Sequence, residues 1–91
     1  MSVLIRFAPA SLTAAQYDES IRKLEAAGVF PADGLDYHVC FGEEGSLRVS
    51  EIWDSQGQLD AFGEQLMPIL AEVGIEPGTP EVIPIHNIVK R

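Results

Sequence analysis

The sequence predicts an α+β fold with elements in the order β-α-β-β-α-β. Three observations carry this reading. Residues 35–41 alternate with period two, and a second strand-like run over residues 47–53 follows after a four-residue turn, Gly42-Glu43-Glu44-Gly45. Two amphipathic stretches each open on a capping-box pattern, Thr13 with Gln16 and Ser55 with Gln58. Short apolar runs containing β-branched residues stand near both ends of the chain. In this order, two right-handed crossovers put both helices on one face of a four-stranded antiparallel sheet, the split βαβ or ferredoxin-like arrangement. The opposite sheet face is left bare. Residues 1–91 are read as one such domain.

Each element has its own signal. Residues 2–8 form a strand closed by Pro9, with Val3, Ile5 and Phe7 on one face and Leu4, Arg6 and Ala8 on the other. The first helix is expected over residues 14–27, with Leu12 and Tyr17 at staple positions, Tyr17, Ile21 and Leu24 on the buried stripe and Gly28 just past its end. Phe30 to Gly34 is a loop. In the next strand Leu35, Tyr37, Val39 and Phe41 share a face, and Asp36, His38 and Cys40 share the other. The second helix starts at an N-cap on Asp54 or Ser55, buries Leu59, Phe62, Leu66, Ile69 or Leu70, and Val73, is kinked by Pro68, and ends at Gly74. A turn-rich connector leads to a last strand over residues 82–90. Pro84 confines part of that strand to an edge or bulge.

Charge and composition exclude several functions. The formal net charge is −8, and no Lys or Arg occurs between Val49 and Val89. Phosphate backbones and anionic membranes need clustered cations, so neither nucleic acid nor a membrane is an expected partner. No run approaches the ~20 apolar residues of a spanning helix, and the N-terminal run is broken by Arg6, so a cytoplasmic protein is expected. The single cysteine, Cys40, allows no internal disulfide. A hydrophobic content of 46% is high for a short chain and favours self-association through the bare sheet face.

Assigning faces locates the candidate residues. If Tyr37, Val39 and Phe41 lie under the helices, His38 and Cys40 fall on the open face with Arg6. With Ile83 and Ile85 under the helices, His86 joins them. The third strand is ambiguous. Leu47, Val49 and Trp53 look core-facing, yet Glu51 shares their parity, and a buried glutamate needs a partner.

The stretch Glu51-Ile52-Trp53-Asp54-Ser55, followed by a helix carrying Phe62, resembles the strand-to-helix junction of the antibiotic biosynthesis monooxygenase-like, dimeric α/β-barrel superfamily. The element order over the whole chain agrees. The resemblance implies a homodimer whose open sheet faces pack together into a barrel. Trp53 would then point into an internal cavity beside Glu51 and Val49, and the cavity would gather Arg6, His38, Cys40, Glu51, Trp53 and His86. It also implies cofactor-free oxygenation of a small aromatic or polyketide-like molecule, with non-catalytic ligand binding or assembly as the alternative. Haem-degrading members carry a histidine on the helix after the tryptophan. Residues 56–66 have none, so haem is not expected in that mode, and the non-specific spacing of His38 and Cys40 gives no reason to expect a metal.

Each candidate has a chemical role and a plainer alternative. His38 and His86 are a potential general base and proton shuttle, or histidines satisfied within a dimer interface. Arg6 could stabilise an enolate oxygen or pair with Glu51 across adjacent strands. Trp53 could stack on a planar ligand or simply pack. Cys40 carries a ligating atom but has the character of an inert buried thiol.

Overall fold

The computed structural model describes residues 2–91, and it has the expected element order. The strands are β1 (Val3–Phe7), β2 (Leu35–Phe41), β3 (Arg48–Trp53) and β4 (Glu81–Pro84), and the helices are α1 (Ala14–Ala26) and α2 (Gln56–Val73). The four strands form one sheet in the order β2-β3-β1-β4, and every neighbouring pair is antiparallel. This is the ferredoxin-like α+β arrangement. No helix among the described residues is long and apolar enough to cross a membrane.

Both helices begin as their sequences dictate. The Thr13 hydroxyl accepts from the backbone N–H of Gln16 at 3.1 Å, and the Gln16 side chain accepts from the backbone N–H of Thr13 at 3.1 Å. Ser55 caps α2 by accepting from the N–H of Gln58 at 3.2 Å. Gly74, in the left-handed conformation at φ 81°, terminates α2. Pro68 lies inside α2, which continues for a further turn beyond it.

Helices and sheet enclose a core built from Val3, Ile5, Leu24, Trp53, Leu59 and Phe62. A second buried group, Leu12, Leu70 and Ile75, closes the opposite end. Trp53 has no exposed surface, and its ring packs against Phe62 with centroids 5.3 Å apart. Val49, Glu51 and Trp53 are all buried on the helix side of β3. The hydrophobic parity of that strand is therefore the right guide. The expectation that Trp53 and Glu51 face a cavity on the open side is corrected.

The second correction concerns β2. Leu35 pairs with Trp53, yet Tyr37 pairs with Ile52, so the ladder skips a residue at Asp36. Such a bulge exchanges the faces of every residue after it. Leu35 still packs on the core, but beyond the bulge His38 pairs with Glu51 and Cys40 with Val49 on the helix side. Tyr37 and Val39, each 48% exposed, and Phe41, 37% exposed, instead project from the open face. The period-two pattern predicts the reverse because alternation fixes which residues share a face, not which face it is.

The last strand is shorter than expected and of opposite parity. It ends at Pro84, and Ile83 pairs with Leu4 on the open face rather than lying under the helices. Ile85 N–H still donates to the Ser2 carbonyl at 3.2 Å, and the residues after it leave the ladder. They run toward β2, where Lys90 Nζ lies 5.7 Å from the Tyr37 ring centroid.

Candidate functional site

Two structural choices bring the site together. The Asp36 bulge turns His38 inward, and the capped start of α1 sets Tyr17 one turn into the helix, above the middle of β2. The result is a continuous row of polar side chains. The Tyr17 hydroxyl and His38 Nε2 are 2.7 Å apart. His38 Nδ1 lies 2.6 Å from Glu51 Oε2. Trp53 Nε1–H donates to Glu51 Oε1 at 3.0 Å.

Trp53 fixes one direction, and the others follow for a His38 ring that carries a single proton. An indole nitrogen only donates, so Glu51 Oε1 must accept. With Glu51 as a carboxylate, Oε2 also accepts, and His38 carries its proton on Nδ1. The neutral imidazole then presents a lone pair at Nε2, and the Tyr17 O–H donates to it. A hydroxyl, an imidazole and a carboxylate are thus aligned as in a nucleophile–base–orienter row, with tyrosine in the first place. Burial pushes the Tyr17 hydroxyl up to about 12, with smaller contributions from the nearby Cys40, Glu51 and Asp18, so Tyr17 keeps its proton at neutral pH.

The row stands at one end of a pocket between sheet and helices. Phe7, Leu12, Ile21, Phe62, Leu66 and Leu70 form much of its wall, and Pro9 and Pro77 also line it. Tyr17, Ser20, His38 and Glu51 are its only polar side chains. The space open to the centre of a water-sized sphere is about 60 Å³, so the cavity is a narrow slot. Phe30 meets His38 edge to face at 5.2 Å and so holds the imidazole plane from the loop side. Ser20, buried on α1, donates from Oγ to the Tyr17 carbonyl at 2.7 Å.

The structure divides the sequence candidates into two groups. His38, Glu51 and Val49 line the pocket, and Trp53 stands behind Glu51 as its hydrogen-bond donor. Arg6 lies on the open face, opposite Ser50 and Glu81, so it and Glu51 are on different sides of the sheet and cannot pair there. His86 is exposed beyond the end of β4 and does not join His38. Cys40 sits on the helix side outside the pocket lining, and burial, followed by the charge of Asp18, raises its thiol above the usual range. The expected gathering of these residues in one cavity on the open face is thereby corrected. Among the described residues, no three His, Cys, Asp or Glu side chains come together as metal ligands.

Sequence reasoning misses Tyr17, Ser20 and Phe30. Tyr17 carries a usable signal, since a tyrosine on the buried stripe of a helix needs a partner for its hydroxyl. Choosing that partner requires the correct face of β2, which the bulge conceals.

No protein-family model matches the chain, and no curated protein matches it at a significant level. Solved structures do. A mutant of SnoaB, a cofactor-independent oxygenase from Streptomyces nogalater, superposes with TM-score 0.66 at 13% identity, covering 99% of this chain and 98% of that one. A candidate antibiotic biosynthesis monooxygenase from Deinococcus radiodurans gives TM-score 0.64 at 16% identity, covering 100% and 98%. Rv0793 from Mycobacterium tuberculosis gives 0.60 at 19% identity, covering 98% and 97%. At these identities the likeness is one of fold. The chain is built, over its whole described length, on the same ferredoxin-like fold as these structures.

Proposed function

We propose that this protein is a cofactor-independent oxygenase of a small hydroxylated aromatic substrate, bound in the slot between helices and sheet. The observation that carries the reading is the Tyr17–His38–Glu51–Trp53 row, whose first three members stand in the wall of an almost wholly apolar pocket. A fold neighbour described as a cofactor-independent oxygenase supports the reaction class.

The chemistry follows from the row. His38 Nε2 takes the Tyr17 proton as the Tyr17 oxygen takes an acidic proton from the substrate, and Glu51 stabilises the imidazolium that forms. The substrate carbanion, delocalised over its ring, passes an electron to dioxygen. The resulting radical pair combines at carbon to a peroxide, and the His38 proton returns to the peroxide oxygen. Loss of water then leaves a carbonyl, so that R2CH2 and O2 give R2CO and H2O. Trp53 holds the carboxylate in place, and Val49 is part of the wall. Arg6, His86 and Cys40 have no part in this scheme.

The assay is oxygen uptake with a panel of anthrones and quinols. Turnover is expected with at least one of them. Because general-base catalysis typically contributes about 10²–10⁴-fold, His38→Ala is expected to lower it at least 100-fold. No turnover with any substrate, or full activity in His38→Ala, removes the reading.

The narrowness of the slot favours a second reading, a non-catalytic module of the same fold that binds a flat small ligand. Saturable binding without oxygen uptake distinguishes it.

The functional unit in either reading is a homodimer. Tyr37, Val39, Phe41 and Ile83 form an exposed apolar surface on the open sheet face, of the kind that monomers rarely leave uncovered. A second copy of the chain would cover it.

A further inference from the structure

The two buried groups of the core do not close on each other. Leu24 and Phe62 belong to one, Leu12, Leu70 and Ile75 to the other, and all five stand in the wall of the slot between them. Folded interiors leave few voids larger than a water molecule, because the atoms that line a void forfeit their contacts. With about 60 Å³ open to the centre of a water-sized sphere, the slot has room for water but little to hold it. A buried water needs about two to four polar partners. The polar side chains of the wall are turned to one another or to the backbone: the Tyr17 hydroxyl to His38 Nε2 at 2.7 Å, His38 Nδ1 to Glu51 Oε2 at 2.6 Å, and Ser20 Oγ to the Tyr17 carbonyl at 2.7 Å. Among the described residues no buried side-chain nitrogen or oxygen lacks a partner. A water entering the slot would give up its hydrogen bonds without replacement. The slot is a dry, apolar space.

We infer that the slot is a binding site for a small apolar gas, and that its occupant is dioxygen. Size and polarity both select it. An apolar cavity of about 150 Å³ stays free of water and takes up benzene or xenon. At about 60 Å³ this slot is too small for a ring as its walls stand, and it has room for a diatomic molecule. Dioxygen brings no hydrogen-bonding group that must be satisfied, so it loses little on leaving water and supplies the contacts that the wall lacks. An aromatic ring enters only as far as the walls part for it. The inference deepens the proposed function by giving its second substrate a place beside Tyr17, and it rests on that reading only for the choice of dioxygen among gases of this size.

The walls come from separate elements: Phe7 from β1, Leu24 from α1, Val49 from β3, and Phe62 and Leu70 from α2. No single loop makes the space, so it is present before anything binds. Val49 is the position from which to close it. Its side chain is 8% exposed, stands at the inward position of β3 next to Glu51, and lines the slot from the sheet side. A phenyl ring in place of its two methyl groups occupies the space that the gas would take.

The test is methyl NMR of the whole chain under dioxygen pressure, with nitrogen at the same pressure as the diamagnetic reference and no aromatic compound present. Dioxygen is paramagnetic and speeds the relaxation of the methyl groups it touches. Leu12, Leu24, Val49, Leu70 and Ile75 line the slot, whereas Val3, Ile5 and Leu59 are as deeply buried and do not. The enhancement is expected to be at least about 3-fold greater in the first set than in the second, a contrast that a preformed apolar cavity produces and burial alone does not. In Val49→Phe the enhancement at the remaining wall methyls is expected to fall to that of the second set. If that variant does not fold, excess xenon added to the wild-type protein is expected to displace dioxygen with the same loss. Equal enhancement in the two sets, or a contrast that survives Val49→Phe or xenon, overturns the inference and leaves oxygen uptake with anthrones and quinols where it stands. Absence of that uptake with the contrast present removes the oxygenase reading and leaves the gas site.

Discussion

The hydrogen bond between Trp53 and Glu51 is the part of the row whose energy is most directly measurable, and a double-mutant cycle isolates it. The perturbations are Trp53→Phe, which deletes the donor, and Glu51→Met, which replaces the acceptor by an apolar chain of similar length. Trp53 is fully buried and Glu51 is 3% exposed, so water cannot substitute for either partner. A hydrogen bond to a charged group contributes about 1.5–3 kcal/mol. Trp53→Phe alone adds a packing loss of about 1–2 kcal/mol, because part of a ring is removed from beside Phe62. Glu51→Met alone strands the indole N–H but also removes a buried charge, so its net effect mixes opposing terms. The cycle cancels these separate contributions and leaves a coupling of about 1.5 kcal/mol or more. Urea unfolding followed by far-UV circular dichroism measures it. Fluorescence is unsuitable, since Trp53 is the only tryptophan. A coupling below about 0.5 kcal/mol, the scatter of independent sites, refutes the claim that Trp53 holds the carboxylate.

Two further predictions follow from the same structure. Tyr17 is raised from 10.0 to about 12, so between those values the folded chain holds a proton that the unfolded chain has lost, and stability falls as pH rises through that window. The fall is on the order of 1 kcal/mol after allowance for partial solvent access, and it is absent in Tyr17→Phe; an ultraviolet tyrosinate titration combined with urea melts at pH 9 to 12 checks both. On the open face, Val39→Lys together with Phe41→Glu is expected to shift the sedimentation mass from dimer to monomer while leaving the helical circular dichroism intact, because both residues point away from the core. A wild-type monomer at micromolar concentration contradicts the proposed assembly.

The sequence makes the element order, both N-caps, the Gly74 stop and the helix-facing residues of β1 legible, because caps and local periodicity depend on neighbouring residues. It also offers the correct face for Val49 and Trp53 through their hydrophobicity. Glu51 blurs that message, because a carboxylate on a core-facing position looks like an error until its two N–H donors are seen. What is hidden is the bulge at Asp36. It leaves no mark in an alternating strand, yet it decides whether His38 or Tyr37 lies under the helices. The sequence pattern consequently points to a cavity on the other side of the sheet, with Arg6 and His86 in it and Tyr17 left out. A long-range pairing register is a tertiary fact, and one skipped residue re-aims a whole strand.

The direction of the hydrogen bonds along Tyr17, His38 and Glu51 underlies the proposed base. Nitrogen-15 NMR of the histidine rings at neutral pH measures it most directly. The chain has two histidines, and His86→Gln removes the other set of signals, leaving those of His38. The account predicts a neutral His38 ring with its proton on Nδ1 and a lone pair on Nε2, moving to the opposite tautomer in Glu51→Gln. A wild-type His38 protonated on Nε2 would contradict it.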